Sequence, residues 1–196
     1  MADTIIRAKD ESAAKQVLGV WITLSKSDKH IINQIRYEVK QLCNTLQHKL
    51  ITDKQLQYVY NAVIIPRLEY RTQLTFLSKN MCHSLMVPFR TLFKHKLNFN
   101  KCISNTILHT SLLYQLYSFY NIKIQSMFTN LMCQLNDSDI TGHITLIHFC
   151  QLQSYFNLSD NPLICWPFNS AILFYDPIAN LLSVLPDFRL SFNCNF

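Results

Sequence analysis

Lys29-His30-Ile31-Ile32-Asn33-Gln34-Ile35-Arg36-Tyr37-Glu38-Val39-Lys40-Gln41-Leu42 is the stretch that decides the fold class of this chain. Ile31, Ile35, Val39, Leu42, Leu46 and Leu50 recur every three to four residues, which lines up one apolar face of an α-helix. Lys29, Asn33, Arg36 and Lys40 repeat with the same period on a polar face. Ser27 or Asp28 stands where an N-cap oxygen is wanted, so the pattern predicts a helix over about 28–50.

The same reasoning extends downstream. Thr52 or Asp53 caps a second helix whose inner face includes Leu56, Val59, Tyr60 and Val63. It is expected to close at Ile65, because a residue before proline is pushed out of the α region and Pro66 follows. So short a connection makes the first two helices an antiparallel hairpin. Ser78 opens a third helical stretch reaching Leu97, with Pro88 either kinking it or restarting it. Leu85, Phe89, Leu92 and Phe93 face inward there, while Arg90, Lys94 and Lys96 gather at the end where the helix dipole favours cations. Leu112, Leu116, Tyr120, Ile124, Met127, Leu131 and Leu135 predict a long helix over 111–135. Asn136-Asp137-Ser138-Asp139 breaks it, and another helix is expected over 141–156.

The two ends read differently. Val17 to Leu24 is a short β-prone run, expected as a single strand over 17–24, and a lone strand needs a partner that the rest of the chain does not offer. Past Asp160, prolines at 162, 167, 177 and 186 punctuate apolar pieces such as Ala171-Ile172-Leu173-Phe174-Tyr175, which read as short strands or buried loops. The expected fold is therefore mainly α: a helical bundle with one short N-terminal β-strand and an irregular, partly β C-terminal segment. Its expected divisions are 1–24, a helical domain over 25–110, and an apolar extension over 111–196.

Composition narrows the function. Hydrophobic residues make up 49% and charged residues 15% of the 196, which excludes a disordered chain. Two glycines, Gly19 and Gly142, are too few for a phosphate-cradling glycine loop or for many tight hairpins. The net charge of +6 is unevenly placed: residues 1–110 hold 16 Lys and Arg against 7 Asp and Glu, residues 111–196 hold 2 against 5. A basic excess so localised suits a polyanion-contacting surface, and it equally suits a solvated helical face. Seven scattered cysteines, none in C-x-x-C spacing, fit reduced thiols, and with no signal-peptide core near the N-terminus an intracellular setting, cytoplasmic or nuclear, is expected. The uncharged runs between Lys101 and Lys123 and between Asp139 and Asp160 are diluted by polar residues, so no membrane span is expected.

No catalytic constellation emerges. Metal-dependent phosphoryl transfer needs carboxylates holding two ions about 4 Å apart. The one close acidic pair, Asp137 and Asp139, sits where turns and N-caps want such residues. His143 and His148, five apart, point about 140° from each other on a helix. Neither a metal, a cofactor nor a catalytic residue is expected, although a Cys–His couple meeting only in space stays open. The residues left to carry function are cations: Lys29, Arg36, Lys40, Arg67, Arg71, Arg90, Lys94 and Lys96 could follow a phosphate backbone without reading bases.

Several ordered stretches resemble one family. Lys9-Asp10-Glu11-Ser12 followed by Leu18-Gly19-Val20-Trp21-Ile22 is similar to the end of the palm in reverse transcriptases of non-LTR retrotransposons, where a strand bearing Leu-Gly leads into a helical thumb. Ile51-Thr52-Asp53-Lys54-Gln55-Leu56, then Ile64-Ile65-Pro66-Arg67-Leu68-Glu69-Tyr70, resemble thumb elements of that family, as do Pro88-Phe89-Arg90 and Lys94-His95-Lys96-Leu97. The likeness covers most of residues 9–110 and continues more loosely to about 185. It implies a thumb that holds an RNA–DNA template–primer, with Leu18, Gly19 and Trp21 on a strand near the primer terminus and residues 1–24 as the end of a palm. The fingers and the metal-binding aspartates of the palm are missing, and Arg71 follows Tyr70 where many relatives carry Gly. The expected function is thus a non-catalytic remnant contacting nucleic acid. A helical interaction or scaffold protein, docking on a protein partner or on itself through the apolar C-terminal half, and an inert relic remain the alternatives.

Overall fold

The computed structural model describes residues 15–17, 20–22, 29–100, 102–164 and 176–188, and it is mainly α. Its helices are α1 (Lys29–Gln47), α2 (Asp53–Tyr58), a π-helical segment (Val59–Ile64), α3 (Ile65–Arg71), α4 (Lys79–Leu85), α5 (Val87–Lys96), α6 (Thr106–His109), α7 (Phe119–Leu135), α8 (Ile140–Phe156) and α9 (Pro177–Val184). The described residues fall into two compact units. The first holds those up to Thr72 together with Leu77–Phe119, and the second holds Gln73–Phe76 and those from Tyr120 onward.

In the first unit α1 lies chiefly against α5, on which α2 also packs. The α1 seam is Ile31, Ile35, Val39 and Cys43, all buried. Leu42 and Leu46 are only half-buried and Leu50 is fully exposed past the helix end, so the seam drifts away from the residues that the spacing suggested. Successive steps of four advance by more than one full turn of a 3.6-residue helix, and Cys43 takes the place expected of Leu42. Thr52 closes a capping box: its hydroxyl accepts from the Gln55 N–H at 3.3 Å and Gln55 Oε1 accepts from the Thr52 N–H at 3.0 Å. Ser78 caps α4. Pro88 restarts the helix as α5 after a break at Met86, the second of the two outcomes its position allowed.

The helix beginning at Asp53 does not close at Ile65. Ile65 keeps helical angles, φ −59° and ψ −52°, and its N–H reaches five residues back to the Tyr60 carbonyl. The widened π turn makes room for the ring of Pro66, which would strike the carbonyl four residues back in a regular α-helix, and the chain runs on to Arg71. That widening sends Tyr60, Ile64, Ile65 and Leu68 into the core. Tyr60 packs its ring on Phe89 with centroids 4.4 Å apart, Phe89 meets Phe93, and Phe93 meets Tyr114 edge-on at 5.0 Å.

Two expectations are corrected by local geometry. Residues 111–118 are not helical: Gln115 has φ +43°, and Leu112, expected inside, is 90% exposed. Asn61 holds this loop from the side, its Nδ2 donating to Gln115 O at 3.1 Å and its Oδ1 accepting from the Tyr117 N–H at 3.0 Å, while the Tyr60 hydroxyl donates to Tyr117 O at 3.0 Å. These bonds satisfy the backbone without a helix, so α7 begins only at Phe119. At the N-terminal side, the single strand expected over 17–24 is replaced by two strands, β1 (Lys15–Val17) and β2 (Val20–Ile22), paired antiparallel with Val17 opposite Val20. The partner is the polar segment just upstream, which carries no β-prone pattern. β2 lies against α3 and Val20 is buried.

In the second unit α7 buries Tyr120, Ile124, Met127 and Leu131, and α8 buries Gly142, Thr145, Phe149 and Leu152. Gly142 is required by a close approach, since a Cβ there would stand 1.9 Å from the Asp137 carbonyl oxygen. Asn157 ends α8 in the left-handed conformation. Beyond Asp160, where strands or buried loops were expected, Pro177–Val184 is α-helix: Asp176 Oδ1 accepts from the N–H groups of Ile178 and Ala179, with Pro177 at the first turn. The apolar piece 171–175 lies outside the described residues.

Replacing Asn61 by Ala should cost about 0.5–1.5 kcal/mol in urea denaturation, because the 110–118 loop loses two surface hydrogen bonds to its backbone. Hydrogen exchange at the Tyr117 amide should accelerate selectively, and unchanged exchange there would show that Asn61 does not hold the loop. Gly142→Ala should lower stability by more than the ordinary gain from a better helix former, which runs to about 1 kcal/mol in the opposite direction. A more stable variant would mean that the turn at Asp137 yields at no cost.

Candidate nucleic-acid interface

The eight cations singled out above sit on α1, α3 and α5, and the structure separates them into two kinds. Lys29, Arg36 and Lys40 are exposed along one flank of α1, about 80–120° round the helix from its buried seam. Arg36 Nη1 donates to Asn33 Oδ1 at 3.3 Å, one turn earlier, and Tyr37 beside it is exposed.

α1 holds one carboxylate, Glu38, and its side chain is only 11% exposed. Arg71 Nη1 forms a hydrogen-bonded ion pair with Glu38 Oε1, and Arg67 Nε stands 3.8 Å from Oε2. Oε2 is buried without a hydrogen bond, so Arg67 supplies charge there and no proton. The pair joins α1 to α3. Glu38 points about 160–180° away from Lys29, Arg36 and Lys40, so the one negative group of α1 is both paired and turned from their face.

The α5 cations hold the fold as well as carrying charge. Lys96 Nζ donates to the carbonyls of Gln47 and Lys49 at 2.8 and 2.9 Å, satisfying oxygens left open where α1 ends. Lys94 is buried and its ammonium bonds the Ile103 carbonyl, tethering the loop after α5. Arg90 Nη2 donates to His83 O at 2.7 Å. Burial first, and then the charges of Arg90, Lys79 and His109, hold His83 below its usual range, which reports a positive local field around α4 and α5.

A cavity of about 620 Å³ between the end of α1 and α5 is lined in part by Cys43, Asn44, Gln47, Thr91, His95 and Phe99. It brings a cysteine and a histidine together, but burial pushes the Cys43 thiol up to about 11. A protonated thiol is the wrong species for a nucleophile. Asp137 Oδ1 accepts from the Asp139 N–H at 3.1 Å, as a turn requires. His148 Nε2 lies 2.6 Å from Asp176 Oδ2, joining α8 to the cap of α9. Among the described residues no group of three or more His, Cys, Asp or Glu is placed to hold a metal ion, and no helix is long and apolar enough to cross a membrane. Leu18 and Gly19 lie outside the described residues, and Trp21 falls in β2 opposite Gln16.

Three residues that organise these sites were not marked by the sequence: Glu38, Asn61 and Asp176. Asp176-Pro177 is a legible cap signature. The other two act across long sequence separations, which periodicity does not reach. Comparison with known proteins finds no matching family model, no matching curated protein and no matching solved structure.

Changing Arg90, Lys94 and Lys96 together to Gln should destabilise the fold by about 2–4 kcal/mol, since charge-assisted bonds to the carbonyls of His83, Ile103, Gln47 and Lys49 are lost. The same change at Lys29, Arg36 and Lys40 should stay within about 0.5 kcal/mol, as for exposed surface positions. Equal urea midpoints for the two triple variants would contradict this division of labour.

Proposed function

We propose that this chain is a non-catalytic helical module that contacts the phosphate backbone of an RNA–DNA duplex through the outer face of α1. The observation that carries this reading is the row of exposed Lys29, Arg36 and Lys40 along one flank of α1, with the one carboxylate of that helix, Glu38, turned about 160–180° away and paired with Arg67 and Arg71. A helix face with cations, exposed amides and no free carboxylate attracts polyanions of any sequence. From Lys29 to Lys40 the face extends about 16 Å along the helix axis, the rise of about five steps of one nucleic-acid strand. Asn33 and Tyr37 lie on the same stretch and can add neutral contacts to phosphate and sugar. The resemblance to the thumb of a non-LTR retrotransposon reverse transcriptase supplies the class of ligand, a template–primer duplex. Phosphate contacts position such a duplex and need neither metal nor acid–base chemistry from the chain.

The reading as a helical interaction protein is favoured by a different observation, the row of exposed apolar side chains on α8. It concerns the second unit and leaves the α1 reading untouched.

Binding to an RNA–DNA duplex should weaken steeply with salt. Replacing Lys29, Arg36 and Lys40 by Gln should reduce the log–log salt slope by about 2.7, at about 0.9 per phosphate contact. Fluorescence anisotropy across a salt series measures both quantities. A slope unchanged by the triple replacement, or binding indifferent to salt, would remove α1 as the contact surface.

A further inference from the structure

We infer that the outer face of α8 is a self-association surface that pairs two copies of this chain antiparallel about Ile147. α8 contains no Asp, Glu, Lys or Arg in its seventeen residues. Its inner face is Gly142, Thr145, Phe149 and Leu152, and the opposite face exposes Ile140, Ile144, Ile147 and Tyr155 at 76, 60, 58 and 67%. A helix apolar on both faces is ordinarily buried on both.

Charge and register argue for a second copy as the occupant. A partner recognised by charge would find nothing to pair with, and a lipid surface calls for Lys or Arg along a polar face, which α8 lacks. Two copies can meet with no like charges opposed. Around a two-fold axis at Ile147 the face is complementary to itself: Ile147 meets Ile147, Ile144 meets the Cys150–Gln151 step, and Ile140 meets the Ser154–Tyr155 step. The exposed polar side chain of His143 then falls opposite the exposed amide of Gln151. Every apolar residue of the row thus finds an apolar or small neighbour, and the polar pair lies beside the axis. Isologous pairing of this kind is the commonest symmetry among soluble oligomers.

Area sets the strength. The four side chains together offer roughly 450 Å² of apolar surface per copy, and about 900 Å² for the pair before flanking residues are counted. That lies below the roughly 1,000–1,200 Å² at which stable specific interfaces begin, so the dimer is a weak, transient one.

Sedimentation of the whole chain from 1 to 200 µM tests the inference. The wild type should pass from monomer to dimer, and Ile147→Asp should weaken the dimer at least tenfold with an unchanged circular dichroism spectrum. Leu112→Asp, equally exposed but on the 110–118 loop, should dimerise as the wild type does. Ile144→Lys should also weaken the dimer at least tenfold, and adding Gln151→Glu should restore most of the loss. That rescue requires residue 144 of one copy to face residue 151 of the other, which parallel pairing does not provide. A wild type that stays monomeric at 200 µM, an Ile147→Asp dimer of undiminished strength, loss of dimer in Leu112→Asp, or no rescue by Gln151→Glu would each overturn the proposal. None of these outcomes bears on the α1 reading, whose test uses a different unit and a different ligand.

Discussion

Much of the first unit follows from one constraint: Pro66 has no N–H to donate and no room for a carbonyl four residues earlier. A chain can meet that by stopping the helix or by widening it, and this one widens it. Ile65 reaches back to Tyr60, and one extra residue enters the turn. The consequence is rotational. Tyr60, Ile64, Ile65 and Leu68 turn inward, and Asn61 is aimed at the loop that follows α6. The buried Tyr60 ring then stacks on Phe89, and its hydroxyl anchors Tyr117. Burial raises the Tyr60 hydroxyl well above its ordinary range, so it stays a donor at every physiological pH. The π segment thereby positions the 110–118 loop, the start of α7 and the aromatic row along α5.

Charge in this unit is divided between structure and surface in a way that counting charges conceals. Most candidate cations spend hydrogen bonds on the protein itself. Lys96 closes α1, Lys94 ties the loop after α5, and Arg67 and Arg71 hold Glu38. The Lys94 bond and the Glu38 pair are part-buried, where a lost partner costs more than a surface charge is worth, whereas the Lys96 bonds lie at the surface. Lys29, Arg36 and Lys40 on α1 face outward, and Arg67 on α3 is half-exposed beside Glu38. Lys49, Lys54 and Lys79 are exposed elsewhere, so folding spreads the basic excess over the unit and lines up three of its cations on α1.

Local signals were legible and long-range ones were not. Thr52 with Gln55, Ser78, Pro88 and the Asn136–Asp139 break all act within four residues, and each falls where the sequence places it. Periodicity failed where the pattern outlived the helix. Leu50 and Leu112 continue an apolar spacing into segments whose backbone bonds are taken by other partners. The Pro66 rule named the right residue and the wrong remedy, because the π turn depends on what the rotated side chains will meet. The β1–β2 pairing was hidden because Lys15 and Gln16 contribute backbone and no β-prone pattern. For the candidate interface, the sequence marked every cation, but the partners that hold some of them, Glu38 for Arg67 and Arg71 and the Gln47 and Lys49 carbonyls for Lys96, lie about thirty to fifty residues away.

α8 shows why an apolar pattern alone does not say what covers it. Its inner face is fixed by Gly142, which must pass under the Asp137 carbonyl, and by Asp176, whose two oxygens bind His148 and the first turn of α9. Those constraints set the rotation of the helix about its own axis. Once that rotation is fixed, Ile140, Ile144, Ile147 and Tyr155 have no freedom to turn inward without dragging Phe149 and Leu152 out. The row exposed among the described residues is thus a consequence of the inner contacts. Two chains joined there would carry two α1 faces on one particle. A long duplex spanning both would then gain by effective concentration with no new contact, whereas a short one would gain nothing. The apolar and basic halves of the sequence are in that sense coupled through stoichiometry.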